Sequence, residues 1–215
     1  MKPKFKLANP RRNDQDVSCK IQNLMNIRIA SPADAPDVLA IYTPIVHDTA
    51  ISFELVPPTV TQMRERIEST AAELPWLVAE EAQHVIGYAY ASRYRQRAAY
   101  QWSVEVSAYV REEARRSGVA RALYHALLGI LEDLSYRTAL AGIALPNAAS
   151  VAFHESMGFT PIGVYHNVGF KMGRWHDVGW WQLPLGEYVD DPAPPRGMRG
   201  YLNSDQLRER LSAID

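Results

Sequence analysis

A change in hydrophobic period near residue 117 constrains the fold of this chain more than any other feature of the sequence. Residues 103–110 are rich in β-branched and aromatic side chains, as in a strand, whereas the apolar residues from about Ser117 to Ser135 recur at helical spacing. Residues 138–145 are typical of a buried strand. A strand, a long amphipathic helix and a second strand form a right-handed crossover. The sequence therefore predicts that residues 103–110 and 138–145 are parallel neighbours in one sheet.

The segments around this unit predict one mixed sheet with helices, an α/β or α+β fold. Two strands joined by a short polar turn predict an antiparallel hairpin ahead of the crossover. The other predicted elements, in chain order, are a strand at 26–29, a helix after Pro32, a helix at 61–72, the hairpin strands at 76–80 and 85–91, a helix at 150–157, the last strands within 164–183 and a terminal helix within 202–214.

One globular domain with two appendages is expected, because 215 residues suffice for one well-buried core. Residues 1–24 carry basic side chains without apolar periodicity, so we assign them to a flexible N-terminal extension. Residues 25–186 form the predicted domain. Residues 187–215 are interrupted by prolines near their start and are assigned to a C-terminal tail that includes the short terminal helix.

Charge and cysteine content exclude several classes of protein. The 23 Lys+Arg and 24 Asp+Glu residues leave a formal charge of −1, so no bulk attraction to nucleic acid or to an anionic membrane is expected. No apolar stretch reaches the length of a membrane span. The single cysteine, Cys19, precedes the first core-like segment, which gives a cysteine acyl-intermediate little support. We expect a cytoplasmic protein.

The turn at residues 115–120, with the sequence Arg-Arg-Ser-Gly-Val-Ala, lies between the strand and the long helix. The first amide groups of a helix have no partner within it, and the helix dipole adds positive charge, so such a turn can bind a pyrophosphate. The glycine and alanine leave the backbone accessible, and the arginines add charge. The same pattern also fits an ordinary glycine-containing helix entry with a solvated basic face. It is neither a three-glycine dinucleotide fingerprint nor a Walker loop.

Several motifs together resemble a known family. Arg115-x-x-Gly118-x-Ala120 resembles the acetyl-CoA pyrophosphate motif of the GNAT superfamily of N-acetyltransferases, and Leu145-Pro146-Asn147 resembles the start of its second cofactor motif. Residues 75–80 and 169–179 resemble, more narrowly, the phosphinothricin and methionine sulfoximine acetyltransferase subgroup. The agreement runs in order from about residue 26 to 185, which makes chance agreement improbable.

The resemblance implies a GNAT fold: a mixed, mostly antiparallel sheet whose central parallel strand pair splays around acetyl-CoA, with helices on its faces. It implies acetyl-CoA as cosubstrate, no metal, and a homodimer. The residues that it implies for acetyl-CoA binding are Tyr109, Val110, Arg115, Arg116, Ser117, Gly118, Val119, Ala120, Asn147 and Ser150.

Two residues are candidates for proton transfer. Direct transfer of an acetyl group requires a neutral amine, so a base must accept a proton from the substrate ammonium. Strand alternation alone favours an outward-facing carboxylate for Glu105, whereas the resemblance favours a base whose pKa is raised by desolvation. His154 occupies a position where many relatives carry a tyrosine. It could protonate the coenzyme A sulfur or relay the amine proton, or it could be a packed helix histidine.

Three residues are candidates for substrate binding. Arg97 occupies the subgroup's position for a substrate carboxylate, which suits the planar fork of arginine. Phe53 and Ser107 resemble positions that line the substrate pocket, whereas Arg93 and Arg95 are expected in solvent. No metal site is expected, because His166, His176 and Asp177 match no familiar ligand spacing and no cysteine accompanies them; a structural role is favoured for the Trp-His-Asp turn at 175–177.

The resemblance implies acetyl transfer to the α-amino group of a small glutamate-like amino acid, such as phosphinothricin, methionine sulfoximine or methionine sulfone. A transferase for another amine, such as a polyamine, an antibiotic amine or a protein N-terminus, is the first alternative. The arginines at 93–97 favour an anionic substrate over a polycation. A non-catalytic module that senses acyl-CoA is the second alternative.

Overall fold

The computed structural model describes residues 25–212, and the predicted N-terminal extension with Cys19 lies outside them. Seven strands form one sheet: β1 Met25–Ile29, β2 Trp76–Glu81, β3 His84–Arg93, β4 Ser103–Val110, β5 Thr138–Leu145, β6 Thr160–Lys171 and β7 Arg174–Pro184. Five α-helices accompany them: α1 Ala35–Asp48, α2 Val60–Ala71, α3 Val119–Asp133, α4 Ala148–Ser156 and α5 Asp205–Ser212. None of these helices is long and apolar enough to cross a membrane.

The strand order is β1-β2-β3-β4-β5-β7-β6, and every neighbouring pair is antiparallel except β4 and β5. The predicted crossover is therefore confirmed, with α3 as its helix. The parallel pairing runs from Ser103 opposite Thr138 to Glu105 opposite Leu140, and beyond these positions β4 and β5 are not paired with each other. The fold class predicted from the sequence, a mixed sheet with one splayed parallel pair, is confirmed.

Alternation along β4 assigns its side chains to two different layers. Val104 and Val106 are buried in the core that α3 forms with the sheet, where they join Leu123, Leu127 and Ile130. The opposite face of the sheet packs against α1 and α2. That second core contains Val38, Ile41, Met63, Ile67, Val78 and Tyr88. The odd-numbered residues of β4, which include Glu105, therefore face the side of α1 and α2.

Two helix starts differ from the predicted ones because of their caps. The predicted start near Ser117 is two residues early: Gly118 adopts a left-handed conformation as N-cap, so α3 begins at Val119. Asn147 caps α4 by accepting a hydrogen bond from the amide of Ser150, and that helix begins at Ala148 rather than at residue 150.

The segment after β7 packs on the domain. Trp102 donates its indole N–H to the carbonyl of Ala193 at 2.9 Å, and the side chains of Met198 and Tyr201 are buried in the core beneath α3. Asp133, at the last position of α3, accepts a hydrogen bond from the Tyr201 hydroxyl. It also accepts two from the guanidinium of Arg210 in α5, at 2.9 and 3.0 Å. Polar contacts at Asp133 thus fasten the tail to the end of α3.

We expect Asp133→Asn to lower the free energy of unfolding by about 1–2 kcal/mol at pH 7, because hydrogen bonds to a charged group are lost but water screens the outer part of the contact. The hydrogen bonds from Arg210 hold the pKa of Asp133 below its usual value, and those from Tyr201 add to this effect. The pKa is thus lower in the folded than in the unfolded state. The stabilisation is present above about pH 4, the unfolded value, and is lost as pH falls through the folded pKa.

Urea unfolding of wild type and variant at pH 7 and at pH 3 measures this difference. Asp205→Asn is the matched control, because Asp205 also accepts a hydrogen bond from an arginine of α5, Arg208, but its side chain is 95% exposed. Equal losses for both variants would show that the contact at Asp133 contributes no more than an exposed surface ion pair.

Candidate active site

The turn before α3 presents backbone amides toward open space. Gly118 has φ +93°, and the first helical hydrogen bond runs from the amide of Ala122 to the carbonyl of Gly118 at 3.0 Å. The amides of residues 119–121 therefore have no carbonyl partner within the helix. A Cβ built on Gly118 would meet no atom within 4 Å, so a ligand can approach the backbone closely. This amide cradle, residues 117–121, fits a diphosphate.

The side chains around the amide cradle contribute in different ways. Arg115 and Arg116 are exposed beside it, where they can supply positive charge. The hydroxyl of Ser117 donates to the carbonyl of Ala114 at 2.7 Å, so it holds the turn. Arg121 reaches across to α4 and donates to the Ser156 hydroxyl at 2.9 Å. The hydroxyl of the predicted ligand Ser117 is thus engaged within the turn, which leaves its backbone amide as the group that could bind a ligand.

The other predicted acetyl-CoA ligands lie where β4 and β5 end. Val110 is the last residue of β4, and the two strands have separated by that point. Asn147 and Ser150 lie just beyond β5, at the start of α4. The separated strand ends, with the amide cradle after one and Asn147 after the other, form an opening suited to a slender chain between them.

Glu105 stands at the last paired position of the parallel strands, on the face toward α1 and α2. Ser107 and Tyr109 follow on the same face, where β3 places Tyr90 opposite Ser107 and Tyr88 opposite Tyr109. The ring of Tyr109 packs against those of Tyr42 and Tyr88, with both centroid distances 5.3 Å. The Tyr109 side chain therefore belongs to an aromatic cluster on this face, here called the cleft side of the sheet, and only its backbone lies next to Val110 at the strand end.

Burial raises the pKa of the Glu105 carboxyl above its ordinary value, and the positive charge of Arg95 opposes part of that shift. A carboxylate with a raised pKa is a better proton acceptor near neutral pH than a solvated one. Arg95 itself is exposed, as expected, with its guanidinium 4.6 Å from the ring centroid of Tyr94. Although Arg95 is exposed, its charge lowers the pKa of Glu105 from the value that burial alone would give.

His154 is buried, and hydrogen bonds engage both of its ring nitrogens. Nδ1 lies 2.8 Å from the carbonyl oxygen of Ser150, which can only accept, so Nδ1 carries the proton. Nε2 then accepts from the hydroxyl of Tyr124 at 3.0 Å. Burial lowers the pKa of His154, which keeps the ring neutral. Of the interpretations left open by the sequence, this geometry favours a histidine that holds Tyr124 over one that donates a proton directly.

Two of the three predicted substrate residues, Arg97 and Phe53, lie on different loops, whereas Ser107 lies on β4. Arg97, in the β3–β4 loop (residues 94–102), lines a cavity of about 330 Å³ together with Arg93, Arg95 and Tyr136. Pro195 of the tail lines the same cavity. Phe53 lies in the α1–α2 loop (residues 49–59) and is 36% exposed. Arg93, expected in solvent, is exposed and pairs with Glu73 at 2.5 Å.

Sequence reasoning missed a polar network beside the cleft. The Tyr42 hydroxyl lies 2.7 Å from the Ser52 hydroxyl and donates to Glu54 at 3.1 Å, while Arg66 of α2 pairs with Glu54 at 2.6 Å. Burial raises the pKa of Tyr42 to about 12, so it remains protonated and donates. No local signal points to this network, because its members come from α1, the α1–α2 loop and α2.

No group of three or more His, Cys, Asp or Glu residues within positions 25–212 is placed to hold a metal ion. His166 pairs with Asp177 on the surface at 2.9 Å. His176 is buried and bonds to the carbonyl of Lys171 at 3.0 Å.

An amide cradle at a helix start, between parallel strands that separate beside a partly buried carboxylate, is typical of a transferase that uses an acyl-CoA. Comparisons with known proteins agree. A family model described as "Acetyltransferase (GNAT) domain" matches residues 27–180. Phosphinothricin N-acetyltransferase of Streptomyces viridochromogenes is 37% identical over 175 residues, which cover 81% of this chain and 93% of that protein.

Two further relatives extend the comparison. The L-methionine sulfoximine/L-methionine sulfone acetyltransferase of Pseudomonas aeruginosa is 34% identical over 162 residues, which cover 74% of this chain and 94% of that protein. The crystal structure of a phosphinothricin acetyltransferase from Sinorhizobium meliloti in complex with AcCoA has a TM-score of 0.75 and 36% identity, covering 79% of this chain and 94% of that one.

The chain belongs to the GNAT acetyltransferase family. The predicted family and the predicted N-acetyltransferase class of enzyme are confirmed. The complex with AcCoA in a homologous structure supports acetyl-CoA as the cosubstrate.

Proposed function

We propose that this protein transfers an acetyl group from acetyl-CoA directly to the α-amino group of a small glutamate-like amino acid such as phosphinothricin, methionine sulfoximine or methionine sulfone. The observation that carries the proposal is the position of Glu105, a partly buried carboxylate with a raised pKa at the point where the two parallel strands separate. The names of the relatives support this substrate class.

In the proposed reaction, acetyl-CoA supplies an acetyl group activated as a thioester. Glu105 accepts a proton from the substrate ammonium, so that the nitrogen gains the lone pair with which it attacks the carbonyl carbon. The C–N bond forms, the C–S bond breaks, and the leaving thiolate takes up the second proton that the nitrogen loses, while Glu105 releases its proton to solvent. The amide cradle, with Arg115 and Arg116, holds the diphosphate, and Asn147 contacts the pantetheine arm. No step is assigned to a metal.

We assign His154 a positioning role in this proposal. Its neutral ring accepts the hydrogen bond of Tyr124, a tyrosine with no exposed surface whose pKa is raised by burial. His154 therefore sets the orientation of the Tyr124 hydroxyl.

Arg97 is proposed to bind the substrate carboxylate. We expect Arg97→Ala to raise the KM for the amino acid by about 10- to 100-fold, because a hydrogen bond to a charged group contributes about 1.5–3 kcal/mol. The KM for acetyl-CoA should be unchanged in steady-state kinetics with each substrate varied. Arg93→Ala is the matched control, since Arg93 lines the same cavity but pairs with Glu73. An equal rise in both variants would contradict a specific role for Arg97.

The substrate class is tested by measuring thiol release from acetyl-CoA with a panel of amines. Phosphinothricin, methionine sulfoximine and methionine sulfone should support turnover, whereas spermidine, an aminoglycoside and a peptide with a free N-terminus should not. If only spermidine, the aminoglycoside or the peptide supports turnover, the substrate assignment is wrong, whereas the fold assignment is unaffected. Tight acetyl-CoA binding without turnover of any amine would support the sensor alternative.

We also propose a homodimer in the cytoplasm. β6 is an edge strand of the sheet, and the apolar side chains of Ile162, Val164, Val168 and Phe170 on it are exposed. Such an edge is suited to burial against a second copy. A cytoplasmic location is consistent with the use of acetyl-CoA, an intracellular metabolite.

A further inference from the structure

The ammonium group of Lys171 is buried at the end of β6, and the proposed chemistry does not use it. Lys171 is 6% exposed, and its Nζ donates to the carbonyl oxygens of Val46 and Ser52, both at 2.7 Å. Burial lowers its pKa, and the more distant charge of Glu54 opposes that shift. A lysine buried in this way is held by main-chain carbonyls and is unsuited to proton exchange with a substrate.

The carbonyls of Val46 and Ser52 come from the end of α1 and from the loop that follows it. Val46 lies in the last turn of α1, where carbonyls have no partner further along the helix and a cation is favourable. Ser52 lies in the α1–α2 loop, one residue before Phe53, and its hydroxyl contacts that of Tyr42. Lys171 thus ties the end of α1 and the start of the loop to the β6–β7 hairpin, more than a hundred residues away in sequence.

The hairpin also supports the ring of Phe53. A Cβ built on Gly169 would lie 2.2 Å from that ring, so the ring rests on the bare backbone of β6. His176 donates from Nε2 to the carbonyl of Lys171 at 3.0 Å, and its ring centroid is 6.0 Å from that of Phe53. Lys171, Gly169 and His176 therefore act on the same short segment, residues 52–53.

We propose that Lys171 is a positioning residue for the amino-acid side of the active site: by binding the carbonyls of Val46 and Ser52 it holds Phe53 in place as a wall of the substrate pocket. The proposal rests on the proposed function, because it takes the α1–α2 loop to line that pocket. It assigns a role to a residue that contacts neither reacting group.

Lys171→Met removes the donors and keeps a side chain of similar length. We expect it to raise the KM for the amino acid about 10-fold or more, with less than about a threefold change in kcat and in the Kd for acetyl-CoA. Arg174→Met is the matched control, because Arg174 faces Lys171 across the same hairpin but is exposed. It should leave all three constants as in the wild type. Lys171→Arg, which restores two donors, should recover part of the lost substrate affinity.

A second variant tests the same role of Phe53 without removing Lys171, so that misfolding of Lys171→Met would not decide the result. Gly169→Ala leaves Lys171 in place and displaces the Phe53 ring, so it should also raise the KM for the amino acid selectively. A KM in Lys171→Met equal to that of the wild type overturns the proposal. A parallel fall in kcat, acetyl-CoA binding and melting temperature also overturns it, because it would indicate a general structural role.

Hydrogen exchange separates a failure of this proposal from a failure of the proposed function. Lys171→Met should speed amide exchange in residues 49–55 by about 10-fold or more and leave α3 unchanged, whether or not any amino acid is turned over. If exchange is faster in Lys171→Met but the wild type acetylates none of the amino acids, Lys171 still anchors the loop and only the substrate assignment is rejected. Unchanged exchange in residues 49–55 would reject the anchor itself.

Discussion

Replacement of Glu105 by glutamine is expected to lower kcat by roughly one to three decades, with little change in the affinity for acetyl-CoA. Glutamine has the same shape but cannot accept the ammonium proton. In the wild type, kcat should rise with pH through the raised pKa of Glu105, because the carboxyl must be ionised to act as a base. That ionisation should be missing from the profile of the variant.

The ratio of wild-type kcat to that of Glu105→Gln should be largest near and below neutral pH. It should fall as the pH approaches the pKa of the substrate amine, where the neutral amine forms without a base. Kinetics from pH 6 to pH 10 with both substrates saturating measure this. Glu81→Gln, at the end of β2, is the control and should follow the wild type. A variant at position 105 with wild-type kcat at pH 7 would assign the base role to another group.

Gly118→Val is expected to raise the Kd for acetyl-CoA by about 100-fold or more, because losing two charge-assisted hydrogen bonds costs at least about 3 kcal/mol. The side chain would stand in front of the amide cradle, and the φ of +93° is strained for any residue with a Cβ, at about 1–2 kcal/mol. Titration calorimetry with coenzyme A, together with thermal unfolding, separates the loss of binding from the loss of stability.

Gly173→Val is the matched control for backbone strain. Gly173 also has a positive φ, +77°, and a Cβ there would likewise meet no atom within 4 Å, but it lies in the β6–β7 turn. Both variants should lose similar stability, and only Gly118→Val should lose coenzyme A binding. Wild-type affinity in Gly118→Val would place the diphosphate somewhere other than the start of α3.

The central crossover could be predicted from the sequence residue for residue at β4 and β5, because both strands combine β-branched residues with clear boundaries. The edge strand β6 could not. It begins at Thr160, ahead of the predicted region from residue 164, and contains Pro161. Proline argues against a central strand but is compatible with an edge strand, and position in the sheet is a property of the whole fold.

The candidate site divides in the same way. The amide cradle is a local feature, so its glycine and arginines could be predicted from a six-residue pattern. The face toward which Glu105 points depends on which helices cover the sheet, and alternation alone favoured an outward-facing side chain. The partners of His154 and Lys171 lie 30 residues away, at Tyr124, and 119 and 125 residues away, at Ser52 and Val46, beyond the reach of any local pattern.

The short pairing between β4 and β5 divides the sheet into two panels, β1–β4 and β5–β7, which are joined at one end by three residue pairs. Beyond these three pairs, main-chain groups on the facing edges of β4 and β5 have no partner on the other strand. An extended ligand bound there could form hydrogen bonds with both strand edges, as a further strand would, and would contact both panels at once. We therefore expect binding of the cosubstrate to couple the two panels and to stiffen the part of the sheet that carries Glu105.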